Sequence, residues 1–303
     1  MSVPSLANKD VVNIIPDCIV FGNSLRGGQK IVFPCILNGE KLALKFILLA
    51  EDINNINNNN EIQESIKESI ARVKREILTM KEINSPYVVK LSTIEPRIRK
   101  YNNQLLLFYA EEWIEGSNLA NILYKEKKLS YKDVAKMCLD IVKAIESIWS
   151  VRKIHRDIKP ANISRRDLTG EYVLLDLGVA FDLDDKSITK TNSIVGTYRY
   201  FSPEQLDIGR KRSMDFRSDI FSLGIVAYIA LSGKHPFCDN NTSVDDLLHN
   251  ILFKHIVPLT KLDKSIPEDI SDIVSRMLNK NPNERYRKCS LLIKELEEIL
   301  EKE

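Results

Sequence analysis

The segment IHRDIKPANI, residues 154–163, places five chemically active side chains within eight consecutive positions. The segment is too polar for a buried strand, and Pro160 lacks the backbone N–H that a helix interior requires. We therefore predict a loop, and loops that carry several ionisable groups between apolar segments are frequent positions for binding and catalysis. The five residues are His155, Arg156, Asp157, Lys159 and Asn162.

Three further motifs accompany this loop. They are Ala43-Leu44-Lys45, Asp176-Leu177-Gly178 and Ser202-Pro203-Glu204. In their order and spacing, the four segments together resemble the signature set of the protein kinases, and the resemblance extends from about Phe21 to the C-terminus. Lys159, two residues after Asp157, resembles the serine/threonine form of the catalytic loop. The chain is thus similar to the eukaryotic-type (Hanks-type) serine/threonine protein kinases.

This resemblance implies an α+β, bilobal kinase fold within one domain at about residues 15–303. Residues 1–111 are expected to form an N-lobe with a five-stranded antiparallel sheet and one major helix. Residues 112–116 are the expected hinge, and residues 117–303 the mainly helical C-lobe.

The hydrophobic pattern agrees with this division. Short apolar segments rich in Val, Ile, Leu and Phe fill the first third, and Asn38-Gly39 predicts a hairpin between two of them. Apolar residues then recur at helical spacing from Ile62, and Ser130 is placed to cap a later helix. Between strands and helix, the Asn-rich residues 51–63 predict a flexible insertion, and deletion of residues 53–61 is expected to change thermal stability little.

Phosphoryl transfer requires mainly positioning and charge neutralisation, and the resemblance assigns those tasks. Asp157 is expected to accept the proton of a substrate hydroxyl, and Lys159 to stabilise the transferring phosphate. Asn162 and Asp176 are oxygen ligands suited to Mg²⁺. The implied cofactors are ATP and Mg²⁺, or Mn²⁺ in its place.

Lys45 lies in an apolar strand, where a lysine without a partner would be costly. The resemblance supplies two partners for it, namely the α- and β-phosphates of ATP and a glutamate from the following helix. We expect Glu76 to be that glutamate, with Glu68 as the alternative.

The loop expected to cover the phosphates departs from the family pattern of three spaced glycines. Counting back from Lys45 places Gly28 at the third glycine position, whereas matching the following Val32 places Gly27 at the second and Lys30 at the third. Some expected glycines are replaced in either alignment, which affects ATP affinity because glycine lets backbone N–H groups approach phosphate closely. The alternative is a simple hairpin turn. Gly27, Gly28, Val32 and Ala43 are the candidate nucleotide-binding residues here.

The backbone of Glu112 to Ile114 is expected to meet the adenine edge. The resemblance places Glu111 at the gatekeeper position and Ser164 under the adenine, where apolar residues are usual. These two positions predict a more polar adenine pocket.

Control of activity is expected in the segment between Asp176 and Glu204. Arg156 resembles the arginine that pairs with an activation-segment phosphate, and arginine suits this role because its planar guanidinium binds phosphate in two places. We expect autophosphorylation at Ser193 or Thr191, while Thr197 serves the substrate-positioning turn. The alternative is a segment ordered without modification.

Three residues are expected to support the site. Asp219 resembles the buried acid that holds the backbone of the catalytic loop, or is simply an acid at a helix N-terminus. Arg285 resembles the ion-pair partner of Glu204.

Composition and net charge restrict the kinds of partner and the cellular location that we expect. The 303 residues carry a formal net charge of +2, which gives no argument for nucleic acid as a partner, and no apolar segment is long enough for a membrane span. Five widely spaced cysteines are typical of free thiols in a cytoplasmic protein. The N-terminus has no pattern of a signal peptide. Nothing in the sequence indicates the oligomeric state or the particular substrate.

The predicted function is transfer of the ATP γ-phosphate to Ser or Thr hydroxyls of protein substrates. One alternative is a small-molecule kinase of related fold, which is disfavoured by the segment ending in Ser-Pro-Glu and by Arg285. The other is a pseudokinase scaffold, which is disfavoured because Lys45, Asp157, Asn162 and Asp176 are all present.

Overall fold

A computed structural model of the chain describes residues 3–27, 30–56, 59–177, 198–207, 214–239 and 241–302. The chain divides into two compact units. The first unit comprises Met1–Lys81 and Val89–Ile114, and the second comprises Glu82–Val88 and Glu115–Glu303.

The sheet of the first unit is antiparallel throughout, in the order β1-β3-β4-β6-β5, with β2 beside β3. Its strands are β1 (Ile19–Val20), β2 (Leu25–Gly27), β3 (Lys30–Leu37), β4 (Glu40–Ala50), β5 (Arg97–Tyr101) and β6 (Gln104–Glu112).

The described sheet has six strands rather than the predicted five, because its first strand is divided into β1 and β2. Both pieces pair with β3, but the pairing is interrupted between Val20–Cys35 and Leu25–Val32. Pro34 lies at this interruption and has no N–H to donate to the neighbouring strand. The division is therefore a local consequence of one proline.

The predicted hairpin at Asn38-Gly39 is confirmed. Leu37 pairs with Glu40, and the two turn residues have φ angles of 55° and 82°. Positive φ at both central residues is what a two-residue type I′ turn requires, and Asn-Gly is the favoured sequence for it. This turn fixes the register of β3 against β4.

Apolar clusters lie on both faces of this sheet. One cluster includes Phe33, Phe46 and Phe108, with Val11 of the short helix α1 (Asn8–Ile14). The other joins the sheet to the long helix α2 (Asn60–Glu82) through Ile66, Val73, Ile77, Ile47 and Leu107. The side chains of α2 that face the sheet are thereby held in fixed positions.

The Asn-rich segment is better anchored than the sequence indicated. Residues Ile53–Asn55 form a 3₁₀ helix whose N-cap, Asp52, accepts hydrogen bonds from Asn54 N and from Asn103 Nδ2 at 2.9 and 2.8 Å. Ile56 packs against the cluster under α2. Asp52 and Ile56 supply a cap and an apolar contact that the interpretation of a flexible insertion did not include for these described residues.

The second unit is mainly helical. It has a small antiparallel sheet, β7-β8-β9, formed by β7 (Gly116–Asn118), β8 (Ile163–Arg166) and β9 (Tyr172–Leu174). Its α-helices in the described ranges are α3 (Leu119–Glu126), α4 (Tyr131–Ser150), α5 (Pro203–Leu206), α6 (Phe216–Ser232), α7 (Val244–Phe253), α8 (Leu259–Leu262), α9 (Glu268–Met277) and α10 (Cys289–Glu301). The predicted α+β class, with an antiparallel sheet first and helices after it, is confirmed.

Two helices form the centre of the second unit. α4 begins at the predicted cap, where Ser130 Oγ accepts a hydrogen bond from Asp133 N at 3.1 Å. α6 is buried along almost its whole length, and a Cβ added at Gly224 would lie 3.0 Å from Met277 Cβ, so glycine permits close approach of α6 and α9. Within the ranges that the structure describes, no helix is long and apolar enough to cross a lipid bilayer.

Candidate active site

The loop between α4 and β8 is held by a buried acid at the start of α6. The carboxylate of Asp219 accepts hydrogen bonds from His155 N and Arg156 N, each at 2.8 Å. Burial raises the pKa of Asp219, while the nearby imidazole of His155 and the two backbone donors partly offset that rise. These are the contacts expected of an acid that fixes the catalytic loop, and Asp219 also lies in the first turn of its helix.

Two residues of this loop, Arg152 and Arg156, have left-handed backbone conformations. Arg156 has a φ angle of 65°, a left-handed conformation that is uncommon for residues other than glycine. Gln205 Nε2 donates to the carbonyl oxygen of Arg156 at 3.1 Å. The backbone N–H and the carbonyl oxygen of Arg156 are thus both bonded to side chains. Our sequence reasoning missed Gln205, although its place in a Ser-x-x-Gln capping box with Ser202 was readable.

Three predicted catalytic residues of this loop lie together. Lys159 Nζ is 2.9 and 2.7 Å from the two carboxylate oxygens of Asp157. Asn162 Nδ2 donates to Asp157 Oδ2 at 3.0 Å and to the Asp157 carbonyl oxygen at 2.9 Å. The carboxylate of Asp157 is therefore oriented by a cation and by an amide.

His155 joins this loop to the segment that carries Asp176. Its Nδ1 accepts from Asp157 N at 3.3 Å, so Nε2 carries the proton and donates to the Leu175 carbonyl oxygen at 3.1 Å. Leu175 N in turn donates to the Asn162 carbonyl oxygen at 2.8 Å. The residue before Asp176 is thus tied to the loop from both sides, and Asp176 itself has a left-handed φ of 60°.

The donor set near Asp176 and Asn162 fits a magnesium ion shared with a phosphate substrate. Because Asn162 Nδ2 donates to Asp157, the amide oxygen is the atom of this side chain that would serve as a hard ligand. No group of three or more His, Cys, Asp or Glu residues that could hold a metal occurs among the described residues. Mg²⁺ typically binds to one or two carboxylates together with substrate phosphates, which is the kind of site these residues offer.

A buried ion pair supports the second unit. The guanidinium nitrogens of Arg285 lie 2.7 and 3.0 Å from the two carboxylate oxygens of Glu204, and Ser218 Oγ donates to the same carboxylate at 2.7 Å. Burial alone would raise the pKa of Glu204, but the hydrogen bonds and positive charge of Arg285, with Ser218, lower it. Arg285 and Glu204 therefore form the ion pair that the resemblance implied.

The predicted pairing in the first unit differs from the structure. Lys45 Nζ is 2.7 Å from Glu111 Oε1, whereas Glu76 accepts hydrogen bonds from Lys30 Nζ at 2.9 and 3.2 Å and from Tyr109 OH at 2.9 Å. Among the residues that the structure describes, no ion pair joins Lys45 to Glu76. The expected Lys45–Glu76 pair is wrong here because Glu111 is buried and its carboxylate takes Lys45. Glu68, the alternative partner, lies on an exposed position of α2.

The other residues predicted for the nucleotide are placed as follows. Val32 and Ala43 are half-buried on β3 and β4, while Gly27 is exposed at the end of β2. Ser164 is buried on β8, and Ile114 is buried at the end of the first unit. Glu112 exchanges backbone and side-chain hydrogen bonds with Lys90, both at 2.9 Å. Gly28, Thr191, Ser193 and Thr197 lie outside the described residues.

Comparison with known proteins identifies the family. The model of the protein kinase domain matches residues 26–297, so the chain belongs to the protein kinase domain family. The assignment made from the four motifs is thereby confirmed.

Bacterial serine/threonine kinases are among the proteins similar to this chain. A probable serine/threonine-protein kinase of Clostridium perfringens is 30% identical over 233 residues, covering 77% of this chain and 32% of that protein. The serine/threonine-protein kinase PknB of Mycobacterium leprae is 29% identical over 221 residues, covering 71% of this chain and 34% of its own length. The chain thus spans about a third of the length of these curated relatives.

Proposed function

We propose that this chain transfers the γ-phosphate of ATP to serine or threonine hydroxyls of protein substrates. The observation that carries the proposal is the arrangement of Asp157, Lys159 and Asn162 on a loop fixed by Asp219. Membership of the protein kinase family and the names of the bacterial relatives support the same reaction.

The loop residues suit the two ends of this transfer. Asp157 is oriented to accept the proton of the attacking hydroxyl, because Asn162 and Lys159 hold its carboxylate. Lys159 lies within one hydrogen bond of that base, where its positive charge also neutralises the transferring phosphoryl group. One short loop thereby brings the proton acceptor and the phosphate-stabilising cation to the same reacting atoms.

The proposal includes Mg²⁺ beside the ATP phosphates. Asn162 and Asp176 would hold it, and the ion would neutralise negative charge on the phosphate oxygens. We place the reaction in the cytoplasm on the evidence of the sequence alone, from the five widely spaced cysteines.

Protein, rather than a small molecule, is the proposed acceptor. The argument is the segment ending in Ser202-Pro203-Glu204, whose glutamate is anchored by Arg285 through two hydrogen bonds at 2.7 and 3.0 Å. Such an anchor fixes the end of a segment on which a peptide can be positioned. Autophosphorylation at Ser193 or Thr191, paired with Arg156, is the proposed control of that segment.

The test is incubation of the purified chain with ATP labelled at the γ-phosphate, Mg²⁺ and dephosphorylated casein, with and without chelator. We expect labelled phosphoserine and phosphothreonine that vanish in the Asp157→Asn variant. Mass spectrometry before and after phosphatase treatment locates phosphate in residues 178–197. Label in no protein, with ATP consumed only when small hydroxyl compounds are present, would contradict a protein substrate.

A further inference from the structure

Four ionisable side chains of the first unit form two ion pairs around one tyrosine. Lys30 and Glu76 make one pair at 2.9 Å, and Lys45 and Glu111 make the other at 2.7 Å. Tyr109 lies beside both, with its ring centroid 5.6 Å from Lys30 Nζ and 5.9 Å from Lys45 Nζ. The cluster thus contains two cations and two carboxylates in one small region.

The strand register explains why these groups meet. Lys45 of β4 lies opposite Val32 of β3 and Tyr109 of β6, while Lys30 lies two residues before Val32. Because side chains alternate between the faces of a strand, Lys30, Lys45 and Tyr109 share one face of the sheet. Glu111, two residues after Tyr109, shares it as well. Glu76 joins them from α2, which packs on this face.

Burial makes the choice of partner costly to change. The side chains of Glu76 and Glu111 are 3% and 2% exposed, and that of Lys45 is 7% exposed. A buried carboxylate that loses its cation is strongly destabilising, since neither water nor another charge compensates it. Glu76 therefore requires a cation, which Lys30 supplies, while Lys45 contacts Glu111.

We propose that Lys30 is the positioning residue that holds Glu76 and helix α2 in this chain, in the place where the resemblance implies Lys45, and that the contact of Glu111 with Lys45 favours this exchange. The proposal rests on the proposed kinase activity for one of its measurements. Lys30 is the first residue of β3, and in one alignment it replaces the third glycine of the phosphate-covering loop. Helix α2 is thereby tied to the start of β3 rather than to the middle of β4.

This role of Lys30 predicts that a second substitution restores part of the activity lost in Lys30→Met. A lysine that only stabilised the fold would not show this recovery. In Lys30→Met, Glu76 loses its cation, and we expect kcat/KM to fall by about 10²-fold through misplacement of α2 and the reacting groups. In Lys30→Met/Glu111→Met, the Glu111 carboxylate no longer competes with Glu76 for Lys45. We therefore expect the double variant to recover at least tenfold in kcat/KM over Lys30→Met. Lys30→Arg, which keeps the charge, should stay within about threefold of the parent chain.

Lys100→Met is the matched control. Lys100 lies exposed on β5 of the same sheet, so this substitution removes a lysine without touching the cluster. Circular dichroism and a thermal melt of each variant establish that it is folded at the assay temperature. A folded Lys30→Met/Glu111→Met protein no more active than Lys30→Met would overturn the proposal.

A second measurement decides the question if the double variant does not fold. The effects of Lys30→Met and Glu76→Gln on kcat/KM should not add, since both break one pair, whereas those of Lys45→Met and Glu76→Gln should add. Additive effects for Lys30 with Glu76, together with non-additive effects for Lys45 with Glu76, would show that Glu76 pairs with Lys45. An inactive parent chain would contradict the proposed function instead, and the same two cycles measured on the free energy of unfolding would still decide the pairing.

Discussion

The two units of this protein kinase domain hold their buried charges in different ways. In the second unit, Asp219 is bonded to two backbone N–H groups and Glu204 to a fork-shaped guanidinium, as the motifs predicted. In the first unit, Lys45 and Glu76 are both buried and both paired, but not with each other. Motif spacing therefore identified the charged residues in both units but their partners in only one.

The difference follows from how many charged side chains in each unit could exchange partners with one another. Asp219 meets donors whose positions are set by the chain itself. The planar guanidinium of Arg285 is held by the carbonyl oxygens of Asn279 and Arg217, so it meets the Glu204 carboxylate in one orientation. The first unit instead brings two flexible lysines and two carboxylates to one face of a sheet. Two pairings with the same net charge are then available there, and the buried Glu111 decides between them.

The largest expected effect tests the loop that the second unit holds. Asp157→Asn keeps the size of the side chain and removes the proton acceptor, so we expect kcat to fall by about 10²–10⁴-fold with ATP affinity nearly unchanged. Steady-state kinetics and nucleotide titration measure the two quantities. Retention of more than about a tenth of the parent turnover would show that Asp157 is not the base.

Arg285→Met tests how much the buried ion pair between Arg285 and Glu204 contributes to stability. It leaves Glu204 buried without its cation, and we expect the second unit to lose about 3–5 kcal/mol of unfolding free energy. Chemical denaturation measures this loss. The control is Lys294→Met, which removes an exposed 3.7 Å pair with Glu298 and should cost less than about 0.5 kcal/mol. Similar losses in both variants would mean that burial of the pair contributes nothing.

Much of the fold could be read from the sequence because its signals are local. The Asn38-Gly39 turn, the Ser130 cap and the apolar face of α4 each depend on residues close together in the chain. The break between β1 and β2 could not be read so easily, since it depends on Pro34 in the opposite strand. The Lys30–Glu76 pair could not be read either, because its members lie 46 residues apart and the family resemblance assigned Glu76 to Lys45.

A pH experiment extends the comparison to His235, a half-buried neutral group of the second unit. His235 Nε2 donates to the Arg199 carbonyl oxygen at 2.9 Å, and its Nδ1 accepts from Phe237 N at 3.1 Å. Burial lowers the pKa of His235 to about 4, with the Arg199 carbonyl opposing the shift and the Arg199 charge adding to it.

The sign of the pH effect follows from this lowered pKa. Between about pH 6.5 and 4 the unfolded chain binds the proton more readily, so the contribution of His235 is present above pH 6.5 and is lost as the pH falls to 4. We expect a loss of about 3 kcal/mol over that range. In denaturation curves, His235→Gln should flatten this slope while His255→Gln, at an exposed position, should leave it unchanged. Equal slopes in all three proteins would contradict a neutral His235.

The smallest expected effect concerns the Asn-rich segment of the first unit, whose contacts were not predicted from its local sequence. The carboxylate of Asp52 accepts from Asn54 N, Asn55 Nδ2 and Asn103 Nδ2, and so joins the segment to the β5–β6 turn. Asp52→Ala removes a helix cap and this link together. We expect a loss of about 1 kcal/mol, or a melting temperature lower by about 2 °C.

Lys67→Ala is the control for Asp52→Ala, because it removes only an exposed 3.8 Å pair with Glu64 and should leave the melting temperature within experimental error. Deletion of residues 53–61 should cost more than Asp52→Ala, since it also removes Ile56 from the cluster under α2. A deletion with an unchanged melting temperature would restore the interpretation of a flexible insertion. It would also mean that the contacts of Asp52 and Ile56 only offset the entropy lost when this segment is ordered.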